Sequence, residues 1–475
     1  EMVIRDWSSD VCSSDLVTGR YPISNASVGI AIWDSPNNLV QGNVISGNVS
    51  SGIMMSGTAA DHNRLFGNLI GVDSTGTAPL GNGRGHHPWA LEIHDGAHEN
   101  FIGTDGDGVD DATEGNVMGG PGGIWLSGPT TTRNKVAGNF VGTDRSGTLR
   151  LTDGYAGVPG IVIWEPLGNF IGTDGDGVAD DLEGNVIAFK DTEGVVVRPP
   201  SSTQGNSIRG NSIYGNGALG IDLSVDENKL TGDGATLNDA LDADDGPNGL
   251  QNFPVVTSAT STSSATTIHG TLHSAPDAEF TLDFYANPAC DVSGYGQGER
   301  YLGWTTLATG AAGDAAFTVR VPAAAPVGWV ITATATDADG NTSEFSDCSP
   351  PVVAGVIQVA IDIKPSSDPN SINLGSKGTV PVAILSSADF DAATVDPATV
   401  RLAGAPVKLR GKAAPMASFE DVDRDGRLDL VVHVQTQDLR LAVGDVEATL
   451  TGATFDGTPI EGSDAVRIMG KQPRS

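Results

Sequence analysis

The sharpest chemical motif in the chain is an aspartate-rich loop, DVDRDGRLD, which begins at Asp421. Alternate carboxylates on a tight turn can surround one hard cation, and calcium prefers such oxygen ligands. The predicted ligands are four side chains and the backbone carbonyl of the arginine: Asp421, Asp423, Asp425, Arg427 and Asp429. An EF-hand would need glutamate at the twelfth position, which here is valine, and the flanks read as strands. An acidic hairpin tip without metal would give the same letters.

Two near-identical insertions in the first half carry a weaker cation motif. TDGDGV occurs twice, and its candidate ligands are Asp105, Asp107, Asp174 and Asp176. Aspartate at every second position, with glycine between, lets a loop wrap a cation. Glycine-rich polar turns without metal explain the letters equally well. Calcium is therefore the cofactor that the sequence predicts, with the loop at Asp421 as its main site.

A histidine-rich stretch is the best candidate for catalysis. It contains His86, His87, Glu92, His94, Asp95, His98 and Glu99. Histidine beside carboxylate can transfer protons or hold a metal. Scattered surface histidines give the same pattern and are the interpretation we favour. No catalytic residue is predicted.

The elements that position the first-half candidates are repeats. Each begins with a small residue followed by alternating apolar positions, at Gly29, Gly52, Ala90, Gly123, Gly160, Gly194 and Gly220. Alternation with period two indicates strands with one buried face. Strands of four residues are too short to stand alone, so we expect seven stacked coils that share an apolar core. Asparagines recur at equivalent turns, where they tolerate left-handed backbone and can bond from coil to coil.

Outward positions of these strands form a candidate glycan-contact face. The face consists of Trp33, Glu92, His94, Trp125, Trp164 and Arg198. Flat aromatic rings stack on sugar rings, and a few polar groups then fix the orientation of the sugar. Insertion loops that cover the tryptophans are the alternative.

The repeats resemble the parallel β-helix repeats of bacterial surface proteins, which also occur in NosD-like and pectate-lyase-like chains. The resemblance implies a right-handed parallel β-helix over residues 17–227 and says little about function. Pectate lyases, polygalacturonases and alginate epimerases share this fold. Their catalytic elements, such as Gly-His-Gly and Asp-Pro-His-Glu, are not intact in this sequence.

The rest of the chain predicts two further β domains, so the predicted fold class is all-β. Residues 228–252 are rich in Asp, Gly and Asn and indicate a cap or linker. Seven predicted strands over residues 253–352 favour a β-sandwich. Their segment ITATATDADGNTSEFS resembles the Ig-like modules that follow repeats in bacterial surface proteins. Residues 353–475 form the third domain, whose aspartate loop looks like that of FG-GAP-type hairpins.

Net charge, apolar runs and cysteine content restrict the compartment and the partners that the sequence predicts. The formal net charge of −33 disfavours nucleic acid and anionic membranes, and no apolar run is long enough to insert into a membrane. Residues 1–16 look like translated sequencing-adapter read-through, with a native disordered tail as the alternative. Without that segment, Cys290 and Cys348 remain as a pair, which favours a disulfide over two free thiols. We therefore expect an extracellular or cell-surface location.

The predicted function is that of a secreted or surface-displayed, non-enzymatic protein. It is calcium-stabilised and adhesive or glycan-contacting, with a polysaccharide or cell-surface glycan as its possible partner. A polysaccharide lyase or hydrolase acting on a β-helix face is one alternative. A purely structural spacer is the other, and the sequence does not indicate an oligomeric state.

Overall fold

The computed structural model describes residues 3–5, 27–83, 87–152, 157–411 and 414–470. Apart from Val3–Arg5, the segment 1–16 lies outside the described residues, and so does Cys12. The chain divides into two compact units. The first contains Glu1–Ala259 and Thr267–Val352, and the second contains Thr260–Thr266 and Val353–Ser475. No helix in the described part of the chain is long and apolar enough to cross a membrane.

Three parallel sheets build the first half of the first unit, which confirms the predicted parallel β-helix. Sheet 1 contains Ile30–Trp33, Ile53–Ser56, Trp89–His94, Gly122–Ser127, Ile161–Trp164, Val195–Arg198 and Ile221–Leu223. Sheet 2 contains Val3–Arg5, Leu39–Gln41, Arg64–Phe66, Phe101–Gly103, Lys135–Ala137, Phe170–Gly172 and Ser207–Arg209. Sheet 3 contains Val44–Ile45, Leu69–Ile70, Val117–Met118, Phe140–Val141, Val186–Ala188 and Ser212–Tyr214. Each coil adds one strand to each sheet, so every interior strand has parallel neighbours on both sides.

The register of sheet 1 follows the period-two pattern of the sequence. Ile30 pairs with Ile53, which pairs with Leu91 in the next coil. This column continues to the last strand, and all of its members are buried. The column two residues further along each strand, from Ile32 to Leu223, is buried as well. Stacked apolar side chains therefore form one continuous core along the β-helix.

Two ladders of buried asparagines line the corners between the sheets. In the first, each side-chain amide donates to the next side-chain oxygen at 2.8–3.1 Å, through Asn38, Asn63, Asn100, Asn134, Asn169 and Asn206. The second ladder does the same through Asn43, Asn68, Asn116, Asn139, Asn185 and Asn211. Because these amides also satisfy backbone groups at the turns, the ladders replace the hydrogen bonds that tight corners leave unmade.

The two TDGDGV insertions leave the β-helix between sheets 2 and 3. Each ends in a single helical turn, at Asp111–Glu114 and at Asp180–Glu183. A short 3-10 helix, Pro247–Leu250, follows the last coil. The side chain of Asn248 there accepts the backbone N–H of Asn206, so this helix closes the first ladder.

Two sheets with a shared apolar core follow in the same unit. One contains Val255–Ser261, Thr266–His273 and Asp314–Val321, and the other contains Glu279–Asn287, Arg300–Ala308 and Val330–Asp337. The predicted seventh strand, Asn341–Ser346, is wrong apart from an isolated bridge at Thr342. The hydroxyl oxygens of Ser343 and Ser346 accept the N–H groups of the neighbouring strand, each at 3.0 Å. The backbone N–H groups of Ser343 and Ser346 still donate to the carbonyls of Ala335 and Ala333, each at 2.9 Å, so the hydroxyl groups replace only the backbone acceptors of this segment. The relation of this domain to immunoglobulin modules stays a prediction.

The second unit is also a β structure, with its own buried core. Its described strands are Val353–Ala354, Ile357–Gln358, Ile361–Ile363, Ser371–Asn373, Thr379–Ile384, Arg401–Leu402, Ala405–Pro406, Leu409–Arg410, Ala414–Pro415, Ala417–Glu420, Asp429–Gln435, Glu447–Ala453, Pro459–Ala465 and Arg467–Met469. Two 3-10 turns, Ala392–Thr394 and Thr436–Asp438, lie between them. The antiparallel pairing of Ala417–Glu420 with Asp429–Gln435 forms the hairpin that carries the aspartate loop.

Candidate functional site

The structure brings three of the predicted ligands in the loop at Asp421 together. Carboxylate oxygens of Asp421, Asp423 and Asp425 lie within 4.8 Å of one another, and all three residues are exposed. Gly426 turns the chain with a φ of 92°, a left-handed conformation that favours glycine. The loop therefore presents a compact triad of hard oxygen donors at the tip of a hairpin.

The other two predicted ligands have different surroundings. Asp429 is fully buried, and its two carboxylate oxygens accept the N–H groups of Ser386 and Val422, each at 2.8 Å. It holds the base of the hairpin in place. Arg427 donates to Asp425 from its backbone N–H at 2.8 Å and from its guanidinium at 2.7 Å. These bonds lower the pKa of Asp425, because they stabilise its ionised form.

Each TDGDGV loop forms a similar triad that includes one aspartate which the sequence analysis did not select. Asp105 and Asp107 converge with Asp111, and the second loop does the same with its own third aspartate. Asp111 lies six residues after Asp105, on the helical turn. The spacing D-G-D-G-x-x-D was therefore the sequence signal that could have identified it as the third candidate ligand. A fourth triad, Asp239, Asp242 and Asp244, lies in the segment after the β-helix and was not predicted.

The two TDGDGV loops differ in their charge balance. In the second, the Lys135 ammonium donates to Asp174 at 2.7 Å and to the buried carboxylate of Glu183. These partners raise the pKa of Lys135, although burial opposes them. In the first loop Glu114 stands where Glu183 stands in the second. Burial raises the pKa of Glu114 to about 7, and its neighbouring aspartates add to the effect.

Three tryptophans and an arginine stack across successive strands of sheet 1. We call Trp89, Trp125, Trp164 and Arg198 the tryptophan row. Ring centroids are 5.0 Å apart from Trp89 to Trp125 and 5.7 Å apart from Trp125 to Trp164. The guanidinium carbon of Arg198 lies 5.2 Å from the ring centroid of Trp164, within cation–π distance. Trp89 lies one residue before the start of its repeat at Ala90, so the repeat pattern did not predict it.

The row is only partly open to solvent, because a later segment lies on it. Residues 226–234 are here called the covering segment. Its Leu230 packs against the buried cluster of Trp89, Val158 and Val162, on which Trp125 also packs, and its Glu227 carbonyl accepts Arg198 Nη2 at 3.2 Å. Trp164 remains 38% exposed, whereas Arg198 is only 7% exposed. The expected alternative, tryptophans covered by loops, therefore describes Trp125 but not Trp164.

The remaining face residues are spread along sheet 1. Trp33 is 66% exposed but lies in the first coil, about 19 Å from the fifth-coil Trp164 at ordinary strand spacing. His94 is half-buried between them and pairs with Asp95 at 2.7 Å. Glu92 was expected on an open surface but is buried, where it accepts the hydroxyl of Ser51 at 2.5 Å. The predicted face is thus two separate aromatic patches.

The histidines of the histidine-rich stretch contact separate carboxylates. His87 lies 3.2 Å from Glu92, and His98 lies 3.8 Å from Asp61. His86 lies outside the described residues. In the part of the chain that the structure describes, the close groups of potential metal ligands contain aspartates alone.

The two cysteines of the two-sheet domain, Cys290 and Cys348, form a disulfide bond in the structure.

Fold and site together define a parallel β-helix repeat protein with appended β domains, aspartate-rich loops and an aromatic row on one sheet. Comparison with family models gives one match, to "Periplasmic copper-binding protein (NosD)", over residues 10–87. The match spans less than a fifth of the chain. A search of curated proteins found no match.

Two solved structures are similar over part of the chain. A bacterial ice-binding adhesin is 20% identical, with 46% of this chain and 65% of that chain covered and a TM-score of 0.15. Transglutaminase from red sea bream is 11% identical, with 46% and 32% covered and a TM-score of 0.22. The chain spans less than two thirds of either protein. Neither likeness carries an argument about function.

Proposed function

We propose that the chain is an extracytoplasmic, non-enzymatic binding protein, secreted or surface-displayed, that contacts a glycan through the tryptophan row. The observation that carries this proposal is the half-open ring of Trp164. It is held on a rigid strand between Trp125 and the guanidinium of Arg198. Preorganised aromatic rings bind sugar rings because little rotamer freedom is lost on contact.

The proposed compartment rests on two observations. The disulfide between Cys290 and Cys348 is of a kind that persists in oxidising compartments and is rare in the cytosol. The family matched at residues 10–87 is described as periplasmic. Both support a location outside the cytoplasm.

Calcium is the cation that we propose for the aspartate loops. The close ligand groups of the described residues consist of carboxylates, which are hard oxygen donors and suit calcium. Copper, named in the description of the matched family, prefers imidazole and sulfur ligands. The loop at Asp421 is the leading site, with Asp421, Asp423 and Asp425 as its side-chain ligands. Extracellular loops of this kind bind with dissociation constants of roughly 10⁻⁴–10⁻³ M, so calcium would act as a structural clip.

A polysaccharide panel tests the glycan proposal. Glycan binding should weaken about two- to tenfold in Trp164→Ala, since stacking on one aromatic ring is worth about 0.5–1.5 kcal/mol. The matched control is Trp304→Ala, which removes a more exposed tryptophan from the two-sheet domain. Equal loss in both variants would contradict the role of the row. Release of reducing or unsaturated ends by wild type would favour a hydrolase or lyase, and no binding would favour a spacer.

Thermal unfolding tests the calcium proposal separately. Calcium should raise the unfolding midpoint of wild type above its value in EDTA by a few degrees. Asp421→Asn with Asp423→Asn should lose part of this rise. A variant with unchanged calcium response would contradict the proposed clip.

A further inference from the structure

Carboxyl groups from four parts of the first unit gather at the end of the β-helix. Glu193 precedes the sixth strand of sheet 1, Asp222 lies in the seventh, Asp233 lies in the covering segment, and Glu344 follows the strand Val330–Asp337. Glu193, Asp222 and Glu344 are only 5%, 1% and 2% exposed. Asp233 is exposed at the outer side of the group.

Backbone hydrogen bonds tie three of these parts together. Asp222 accepts the N–H groups of Asp233 at 3.3 Å and Gly234 at 3.0 Å. Glu344 accepts the N–H groups of Leu223 and Thr236, each at 2.9 Å. The last coil, the covering segment and the two-sheet domain thus meet at two buried carboxylates.

The repeat geometry places Glu193 beside Asp222. Ser51, in the second coil, directly precedes the glycine that begins its strand, and it contacts Glu92 in the next coil at 2.5 Å. Glu193 occupies the position of Ser51 in the sixth coil, and Asp222 occupies the position of Glu92 in the seventh. The glycines that follow Ser51 and Glu193 also make equivalent hydrogen bonds. Gly52 donates its N–H to the carbonyl of Trp89, and Gly194 donates to that of Leu219, each at 3.1 Å. Two buried carboxyl groups therefore occupy neighbouring positions in the sixth and seventh coils, where the second coil has a serine and the third a glutamate.

This group has no positive partner of its own. None of the ion pairs among the described residues involves Glu193, Asp222, Asp233 or Glu344. The Oε2 atom of Glu193 is buried and has no hydrogen-bond partner in the structure. An unpaired buried carboxylate is costly, so it must be neutralised by a proton or by a cation.

The carboxyl groups of this cluster also influence one another. Burial raises the pKa of Asp222 to about 7, and the negative charges of Glu193 and Asp233 contribute. Burial likewise raises the pKa of Glu344 to about 8, with a contribution from Asp222. Asp222 therefore lies near the other three carboxyl groups.

We propose that a divalent cation of the calcium class binds among Glu193, Asp222, Asp233 and Glu344, and clamps the covering segment between the last coil and the two-sheet domain. Carboxylate oxygens are the ligands that such cations prefer. Exposed Asp233 gives the ion a route of entry. These four residues are not among the groups whose oxygens already lie within 4.8 Å of one another, so binding requires the carboxyl groups to move closer together. The residues of this site are separate from those of the tryptophan row and of the loop at Asp421.

Calcium titration of the full chain tests the clamp. Glu193→Gln keeps the shape of the side chain but removes one of the two neighbouring charges. Isothermal titration should show one calcium fewer per chain than wild type. The calcium-induced rise in the unfolding midpoint should fall by about 5 °C at saturating calcium. Glu227→Gln is the matched control, because it removes an exposed carboxylate from the same covering segment, and it should behave as wild type.

The stability of the variant without calcium separates a lost ligand from a misfolded chain. In EDTA, Glu193→Gln should melt no lower than wild type, since the mutation relieves repulsion between like charges. Asp222→Asn should also lose one calcium. Unchanged stoichiometry in both variants would overturn the clamp. So would a midpoint that rises with acid in EDTA but does not respond to calcium, because a proton would then be the neutralising partner. Neither outcome would alter the tests of Trp164 or of the loop at Asp421.

Discussion

The asparagine ladders make the β-helix sensitive to a single change at its middle. Asn139 is fully buried, and its side-chain oxygen accepts the backbone N–H of Asn116 at 3.2 Å and the side-chain amide of Asn116 at 2.9 Å. Its own amide donates to the carbonyl of Ile102 at 2.7 Å and to Asn185 at 3.0 Å. Asn139→Ala removes the partner of the Asn116 backbone N–H and leaves further polar groups short of a bond. With about 1–3 kcal/mol for each buried unsatisfied group, the expected loss of unfolding free energy is about 3–5 kcal/mol.

Asn38 provides the matched control, since it begins the other ladder. Its amide donates to the side chains of Asn63 and Ser35, at 2.8 Å and 3.1 Å. No coil beyond it in the described part of the chain donates to its side-chain oxygen. Asn38→Ala should therefore cost about 1–2 kcal/mol, because the partners it leaves are only partly buried apart from Asn63. Urea unfolding followed by tryptophan fluorescence and circular dichroism gives both losses. Equal losses for the two variants would refute the argument that the ladder is a continuous buried network.

Three further predictions follow from buried charges and the disulfide. Lys135→Met should lower the free energy of unfolding by about 3–5 kcal/mol, because it leaves the carboxylate of Glu183 buried without its ammonium partner. Adding Glu183→Gln should recover most of the loss, and no recovery would contradict this reasoning. The pKa of Glu114, raised by burial from 4.5 to about 7, implies a stabilisation present below about pH 4.5 and lost as pH rises to about 7. In EDTA, Glu114→Gln should remove about 1 kcal/mol of this pH-dependent change in unfolding free energy, a value already reduced for solvent screening. An unchanged pH dependence would contradict the assignment. Replacing Cys290 and Cys348 by serine should cost about 2–4 kcal/mol and remove the sensitivity of unfolding to reductant, whereas wild type that ignores reductant would refute the pairing.

The sequence predicts most of the β-helix, because its repeats have a strict local period. Apolar residues at alternate positions have one register that buries them all, and the structure has that register in every coil of sheet 1. The ladders were only partly visible. Asn116 and Asn185 follow the TDGDGV insertions, which shift them away from the regular spacing, so they do not align with Asn68 and Asn139 in the printed sequence. Insertions therefore hide some ladder members in the sequence, although these residues stack with the others in the structure.

The candidate sites depend more on contacts that are distant in sequence. Outward positions of sheet 1 predict exposure only if nothing later in the chain packs there, and Leu230 packs on the same buried cluster as Trp125. Aspartates on one short loop could be grouped by spacing alone, since loop closure brings them together. The cluster of Glu193, Asp222 and Glu344 combines residues more than 100 positions apart, and no local pattern marks it. Sequence reasoning therefore reached the loop sites but not the buried one.

The covering segment contacts both the tryptophan row and the carboxyl cluster at Asp222. Calcium binding at the cluster should therefore change glycan affinity at the row in a direction that can be measured. The backbone N–H groups of the segment donate to Asp222, and its Leu230 packs on the buried cluster around Trp89, on which Trp125 also packs. A cation at Asp222 would favour the covered state of the row, and coupling between two binding sites is reciprocal. A glycan that stacks on Trp164 alone should bind equally or more tightly with calcium. A glycan that must also reach Trp125 should bind more weakly with calcium, because the covering segment would first have to be displaced. The direction in which calcium changes glycan affinity therefore tells which rings of the row the glycan contacts.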